Sequence, residues 1–108
     1  MKEFRDLCLC SFRNEQVSVF VSADLIGGKL TIKGDDVGPL VETWFGDSDL
    51  EYWYTFSAEE TDKLFRALNA MEDPASALRD HFSGEEGCRN LRTFCETHAV
   101  RYTYFSYA

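Results

Sequence analysis

The chain has 108 residues and a formal charge of −8, and it is 44% hydrophobic and 15% aromatic, with only two prolines. That is length for a single domain over residues 1–108 and apolar material for its core, which excludes a long disordered protein. No apolar stretch approaches the ~20 residues of a membrane span, and the run from Met1 to Leu7 lacks the apolar segment of a secretory leader, so the expected compartment is the cytoplasm.

Phe4 to Phe12 reads as a first strand, with Leu7 and Leu9 on one face and Cys8, Cys10 and Phe12 on the other. A polar turn at Asn14-Glu-Gln follows. From Val17 to Leu25 the alternation is clean: Val17, Val19, Val21 and Ala23 face one way and Ser18, Phe20 and Ser22 the other, the mark of a half-buried strand. Gly27-Gly28 predicts a tight hairpin, because a two-residue turn needs positive φ. The return strand is expected over Leu30 to Lys33, ending at Gly34-Asp35-Asp36. Gly38-Pro39 breaks the chain again, and Leu40 to Phe45 fits a short helix or an extended crossing. A turn at Gly46-Asp-Ser-Asp49 leads to a fourth strand, Leu50 to Phe56, aromatic on both faces: Tyr52, Tyr54 and Phe56 against Glu51, Trp53 and Thr55. That pattern predicts a central strand, or one face reserved for something outside the domain.

The period then changes. Ser57-Ala-Glu-Glu60 fits a capping box, and Thr61, Leu64, Phe65, Leu68 and Met71 recur at helical spacing. Asp73-Pro74 starts a short second helix ending at Phe82, with an acid at the N-cap and proline at the first turn. A third helix is expected from about Glu85 to His98, burying Cys88, Leu91, Phe94 and Cys95. Val100 to Tyr107 returns to strand. Strands, then helices, then a strand define an α+β domain, a mostly antiparallel sheet of about five strands with three helices over one face. The neighbour of the last strand is not legible.

Catalytic and metal signatures are weak. The cysteine spacings, one residue between Cys8 and Cys10 and six between Cys88 and Cys95, miss the C-x₂₋₄-C pairs of structural zinc, so buried free thiols are expected. A calcium loop counted from Asp47 would need Gly and Glu where Tyr52 and Ala58 stand. His81 and His98 lie beside no nucleophile, and no glycine-rich phosphate loop occurs. The expectation is a non-enzyme with no cofactor and no metal.

Charge is the informative feature. The 29 residues between Lys33 and Lys63 contain no Lys, Arg or His and nine carboxylates, interleaved with Trp44, Phe45, Tyr52, Trp53, Tyr54 and Phe56. The remainder is balanced, eleven bases against ten acids. Such a field repels nucleic acid and anionic membrane and attracts a basic protein. Interface hot spots favour Trp and Tyr, so the expected contact residues are Asp35, Asp36, Glu42, Trp44, Asp47, Asp49 and Glu51, clustered in loops around one strand. An alternative comes from the tail: an edge strand rich in tyrosine from Tyr102 to Tyr107 can pair with its own copy, making the chain a homo-oligomeric scaffold or accessory domain.

The runs Gly34-Asp-Asp-Val-Gly-Pro39, Trp44-Phe-Gly-Asp-Ser-Asp-Leu-Glu-Tyr-Trp-Tyr-Thr55 and Ser57-Ala-Glu-Glu60, leading into a Leu/Phe helix, resemble a set of small acidic α+β bacterial proteins. Some of those are similar to immunity proteins of contact-dependent growth inhibition and related polymorphic toxin systems. The resemblance implies an antitoxin that binds one cognate toxin domain, often a nuclease, and blocks its active site or substrate groove.

Overall fold

Period-two alternation becomes antiparallel sheet throughout the first half of the chain. In a computed structural model, which describes residues 1–39, 41 and 49–107, the strands are β1 (Phe4–Arg13), β2 (Ser18–Ile26), β3 (Lys29–Val37), β4 (Asp49–Thr55) and β5 (Thr103–Tyr107). Three helices lie between β4 and β5: α1 (Ala58–Ala67), α2 (Pro74–Phe82) and α3 (Gly87–Thr97). The five strands form one sheet in the order β1-β2-β3-β4-β5, every neighbouring pair antiparallel. The expected α+β architecture is the one observed. The last strand, after three helices, takes the free edge of β4.

Local chemistry explains the turns. The Asn14 side chain accepts from the backbone N–H groups of Gln16 and Val17 at 2.7 and 2.8 Å, closing the β1–β2 connection. Gly27 and Gly28 both take positive φ between the paired residues Ile26 and Lys29, as a two-residue hairpin requires.

Two strands depart from expectation. In β1, register shifts between Phe4 and Leu7 and between Cys8 and Cys10 mark bulges, with Asp6 in the left-handed region at φ 53. The second shift returns Cys10 and Phe12 to the face that carries Leu7. Cys8, opposite Ser22, stays on the other face and is exposed rather than buried. A plain alternation puts Cys8 and Cys10 together; the extra residue separates them. β3 continues to Val37 instead of ending near Lys33. Gly34 is not a breaker there: a Cβ at that position would lie 2.0 Å from the Tyr52 ring, so the glycine makes room for a cross-strand aromatic. The helix or crossing expected at Leu40 to Phe45 and the turn at Gly46 to Ser48 lie outside the described residues, Val41 apart, which is buried.

The helices sit on one side of this sheet, with α1 against β3, α2 against β1 and α3 against α2. Leu7, Val21, Ala23, Leu25, Leu30, Ile32, Tyr52 and Tyr54 from the sheet meet Leu64, Phe65, Leu78, Phe82, Leu91 and Cys95 from the helices in one core. Ser57 caps α1 by accepting from the Glu60 N–H. The Glu60 carboxylate is found elsewhere than in a reciprocal box: it accepts the Arg101 N–H at 2.7 Å and pairs with Lys63 at 3.1 Å, which holds its pKa below the ordinary value and ties α1 to the approach of β5. Asn69, at φ 54, ends α1 two residues before Met71, where helical spacing alone carries it further. Asp73 caps α2 as expected, accepting from both the N–H and the hydroxyl of Ser76.

Candidate protein-binding face

Because α1, α2 and α3 all cover one side, the residues of opposite parity form a sheet face that these helices leave open. The register aligns them in rows. One row runs Ser22, Lys33, Trp53 and Phe105; the next runs Phe20, Asp35, Glu51 and Tyr107; a third runs Ser18, Val37 and Asp49. Apolar side chains on this face remain in solvent: Phe20 is 49% exposed, Phe105 58% and Tyr107 69%. Trp53 is half-buried among them, its ring 5.5 Å from that of Phe105 and 5.9 Å from the Lys33 ammonium above it. Trp53 and Phe105 form an aromatic pair on this face with Tyr107 beside them on β5, while Phe20 stands apart on β2, across Lys33 and Asp35 of β3.

At one end of that surface the strands bring three acids together. Asp35, Asp49 and Glu51 place carboxylate oxygens within 4.8 Å of one another. Asp35 Oδ1 is shut off from solvent and has no hydrogen-bond partner among the described residues. Desolvation first, then a side-chain hydrogen bond with Asp49 and the like charges of Asp49 and Glu51, push the Asp35 pKa up to about 6, with Lys33 acting the other way. A self-repelling, partly dehydrated trio of hard oxygen donors suits a cation, whether a divalent ion or the ammonium or guanidinium of another protein.

Of the seven residues expected at the site, Asp35, Asp49 and Glu51 are gathered here. Asp36 is not among them. One residue on from Asp35, it points to the helical side, half-buried, where its Oδ1 accepts the Tyr52 hydroxyl at 3.2 Å. Burial raises its pKa and the Tyr52 bond opposes the rise. Asp36 is a structural partner of Tyr52, whose own pKa is driven up by burial. Glu42, Trp44 and Asp47 lie outside the described residues. Sequence reasoning did not assign Phe20, Trp53, Phe105 and Tyr107 to this face, although an aromatic between Ser18 and Ser22 and a tryptophan out of phase with Tyr52 and Tyr54 were the available signals.

Of the remaining chemistry-bearing side chains, Cys10 and Cys95 are buried, Cys88 is half-buried and Cys8 is exposed. Burial pushes the Cys95 thiol up to about 11 and raises Cys10 and Cys88 as well, which leaves them poor nucleophiles at neutral pH. His81 lies in α2 and His98 caps α3 with its ring 4.1 Å from Phe94. The structure thus defines a two-layer α+β domain with one side sealed by helices and an open aromatic and acidic sheet face. No family model, curated protein sequence or solved structure matches the chain.

Proposed function

We propose that this chain is a non-enzymatic, cytoplasmic antitoxin of the immunity type, which neutralises a basic toxin domain such as a nuclease by capturing it on the open sheet face. The single observation that carries this reading is the composition of that face: exposed Phe20, Phe105 and Tyr107 with Trp53, beside the Asp35, Asp49 and Glu51 carboxylates. Each half of the surface is unfavourable in the free protein. Apolar area stays hydrated, and like charges crowd one another. A basic partner relieves both, gaining desolvated aromatic contact and charge complementarity in one step. Carboxylates fixed on a rigid sheet also suit occupation of the phosphate sites of a nuclease, and the resemblance to immunity proteins points to the same class of partner.

The test is to co-purify the chain with the product of the reading frame upstream of it and titrate the pair at increasing salt. The expected result is a stoichiometric complex that weakens with salt, and by about tenfold or more when Asp49→Asn and Glu51→Gln are combined. A neighbouring product that does not bind, or one that binds the variant as tightly as the wild type, overturns this assignment.

A further inference from the structure

The two edges of the sheet are finished differently. At the β1 edge, bulges break the register, Arg5 and Arg13 bring charge, and the turn between α2 and α3 folds against the strand, with the Gly84 N–H donating to the Leu9 carbonyl at 2.8 Å. These are the devices by which sheets avoid adding strands. β5 has none of them. Its sequence, Thr-Tyr-Phe-Ser-Tyr, contains no charge, proline or glycine, and its register with β4 is unbroken from Thr103 to Tyr107. All five residues are exposed, and Tyr104 is 50% exposed although it points to the helical side, where its ring packs 5.1 Å from Tyr54. None of α1, α2 and α3 therefore overhangs this edge.

We infer that β5 is an interface: it pairs antiparallel with β5 of a second copy about a two-fold axis perpendicular to the sheet. The product is a closed dimer built on one ten-stranded sheet, with α1, α2 and α3 of both copies on one side and the two faces they leave uncovered continuous on the other. A second copy fits this edge better than an unrelated strand for two reasons. First, aromatics project on both faces of β5, so antiparallel pairing of identical strands sets Phe105 opposite its own copy on the open side and the two Tyr104 rings as diagonal neighbours on the helical side. Second, the charge distribution selects antiparallel self-pairing. The Asp35–Asp49–Glu51 group lies level with Tyr107, at one end of β5. Antiparallel pairing sets Tyr107 opposite the Thr103 end of the partner strand, which holds the two acid groups on the order of 20 Å apart from strand spacings alone. Parallel pairing would align the groups across the seam at about 14 Å, three strand spacings, so antiparallel pairing is the arrangement with the weaker repulsion, and salt screens what remains.

This inference stands independently of any basic partner, and salt separates the two. Dimerisation of chains with a charge of −8 strengthens as salt screens their repulsion, while capture of a basic protein weakens. The experiment is sedimentation velocity on the purified full chain from low micromolar to sub-millimolar concentration, at low and high salt. The wild type is expected to form a concentration-dependent dimer, tighter at high salt, and nothing larger. Phe105→Lys and Tyr107→Lys, both at exposed positions, are expected to give monomers with unchanged far-ultraviolet circular dichroism. Hydrogen exchange gives a second readout, in which β5 amides are protected at high concentration in the wild type and exchange faster in either variant. A wild type that stays monomeric throughout, a dimer that both variants preserve, or open-ended assemblies would each overturn the inference.

Discussion

Asp35 and Asp36 are adjacent and chemically identical, and the pleat gives them opposite work. Asp36 turns inward to a phenol; Asp35 turns outward into a group of like charges. The consequence for Asp35 is a carboxyl whose pKa in the folded chain is about 6 against an ordinary 3.8. Between those values the folded chain keeps a proton that the unfolded chain has released, so its contribution to stability falls as pH rises through that window. Asp35→Asn is accordingly expected to be more stable than the wild type at pH 7, by about 1–2 kcal/mol once solvent screening of this partly exposed group reduces the full effect, with the advantage vanishing below about pH 4. Urea unfolding at a series of pH values measures this. The pH slope should shrink rather than disappear, because burial raises Asp36 in the same direction. The same substitution should weaken partner binding, the usual sign that an unfavourable group is kept for function. A variant less stable than the wild type at pH 7 would mean that the carboxylate holds local structure instead.

At the scale of elements, the joint between α1 and β3 depends on one hydroxyl. Thr61 is fully buried in the first turns of α1, and its Oγ1 accepts the Leu30 N–H at 3.0 Å at the start of β3. Thr61→Val keeps the shape and removes the acceptor, leaving a buried N–H without a partner. The expected loss is about 1–3 kcal/mol in a denaturant titration, with Thr61→Ser retaining the bond and most of the stability. An unchanged midpoint in Thr61→Val would mean that water reaches the Leu30 amide. Thr61 also shows what helical spacing conveys: it places the residue on the buried face and says nothing of the bond its hydroxyl makes. The same division holds across the chain. Alternation along Val17 to Leu25 and 3.6-residue recurrence from Thr61 onward are local, and both elements are present, although Asn69 stops the helix before Met71. The extra residue in β1 is also local but has no compositional mark, so Cys10 and Phe12 were read onto the wrong face. Gly34 reads as a strand end unless the Tyr52 ring opposite it is known, and the β5 position depends on a pairing that spans three helices. The acids Asp35, Asp49 and Glu51 were legible as a cluster because sequence neighbours across a β3–β4 pairing stay neighbours in space. The aromatics of the open face needed the register.

For the whole molecule, the decisive property is where the negative charge sits relative to contact area. Net charge sets the long-range attraction of a basic partner, but salt confines the effect to acids close to the contact, within about 8 Å at physiological ionic strength. Asp49 and Glu51 lie on the open face, whereas Glu72 and Asp80 are exposed on the helical side. Replacing either pair by amides changes the net charge equally. Association of a basic toxin domain is expected to be steered, with rates that can reach ~10⁸ M⁻¹s⁻¹ at low salt. Asp49→Asn with Glu51→Gln should then slow association strongly and flatten its salt dependence, while Glu72→Gln with Asp80→Asn should do little. Trp53→Ala is expected to leave the association rate and its salt dependence nearly unchanged and to speed dissociation, because the ring contributes desolvated contact rather than a long-range field. Stopped-flow mixing and a dissociation chase separate the two rates. Equal slowing by the two acid pairs would mean that overall charge alone draws the partner in. With no effect at Trp53 as well, the open face would be a solvated surface, and contact would have to be made elsewhere on the molecule.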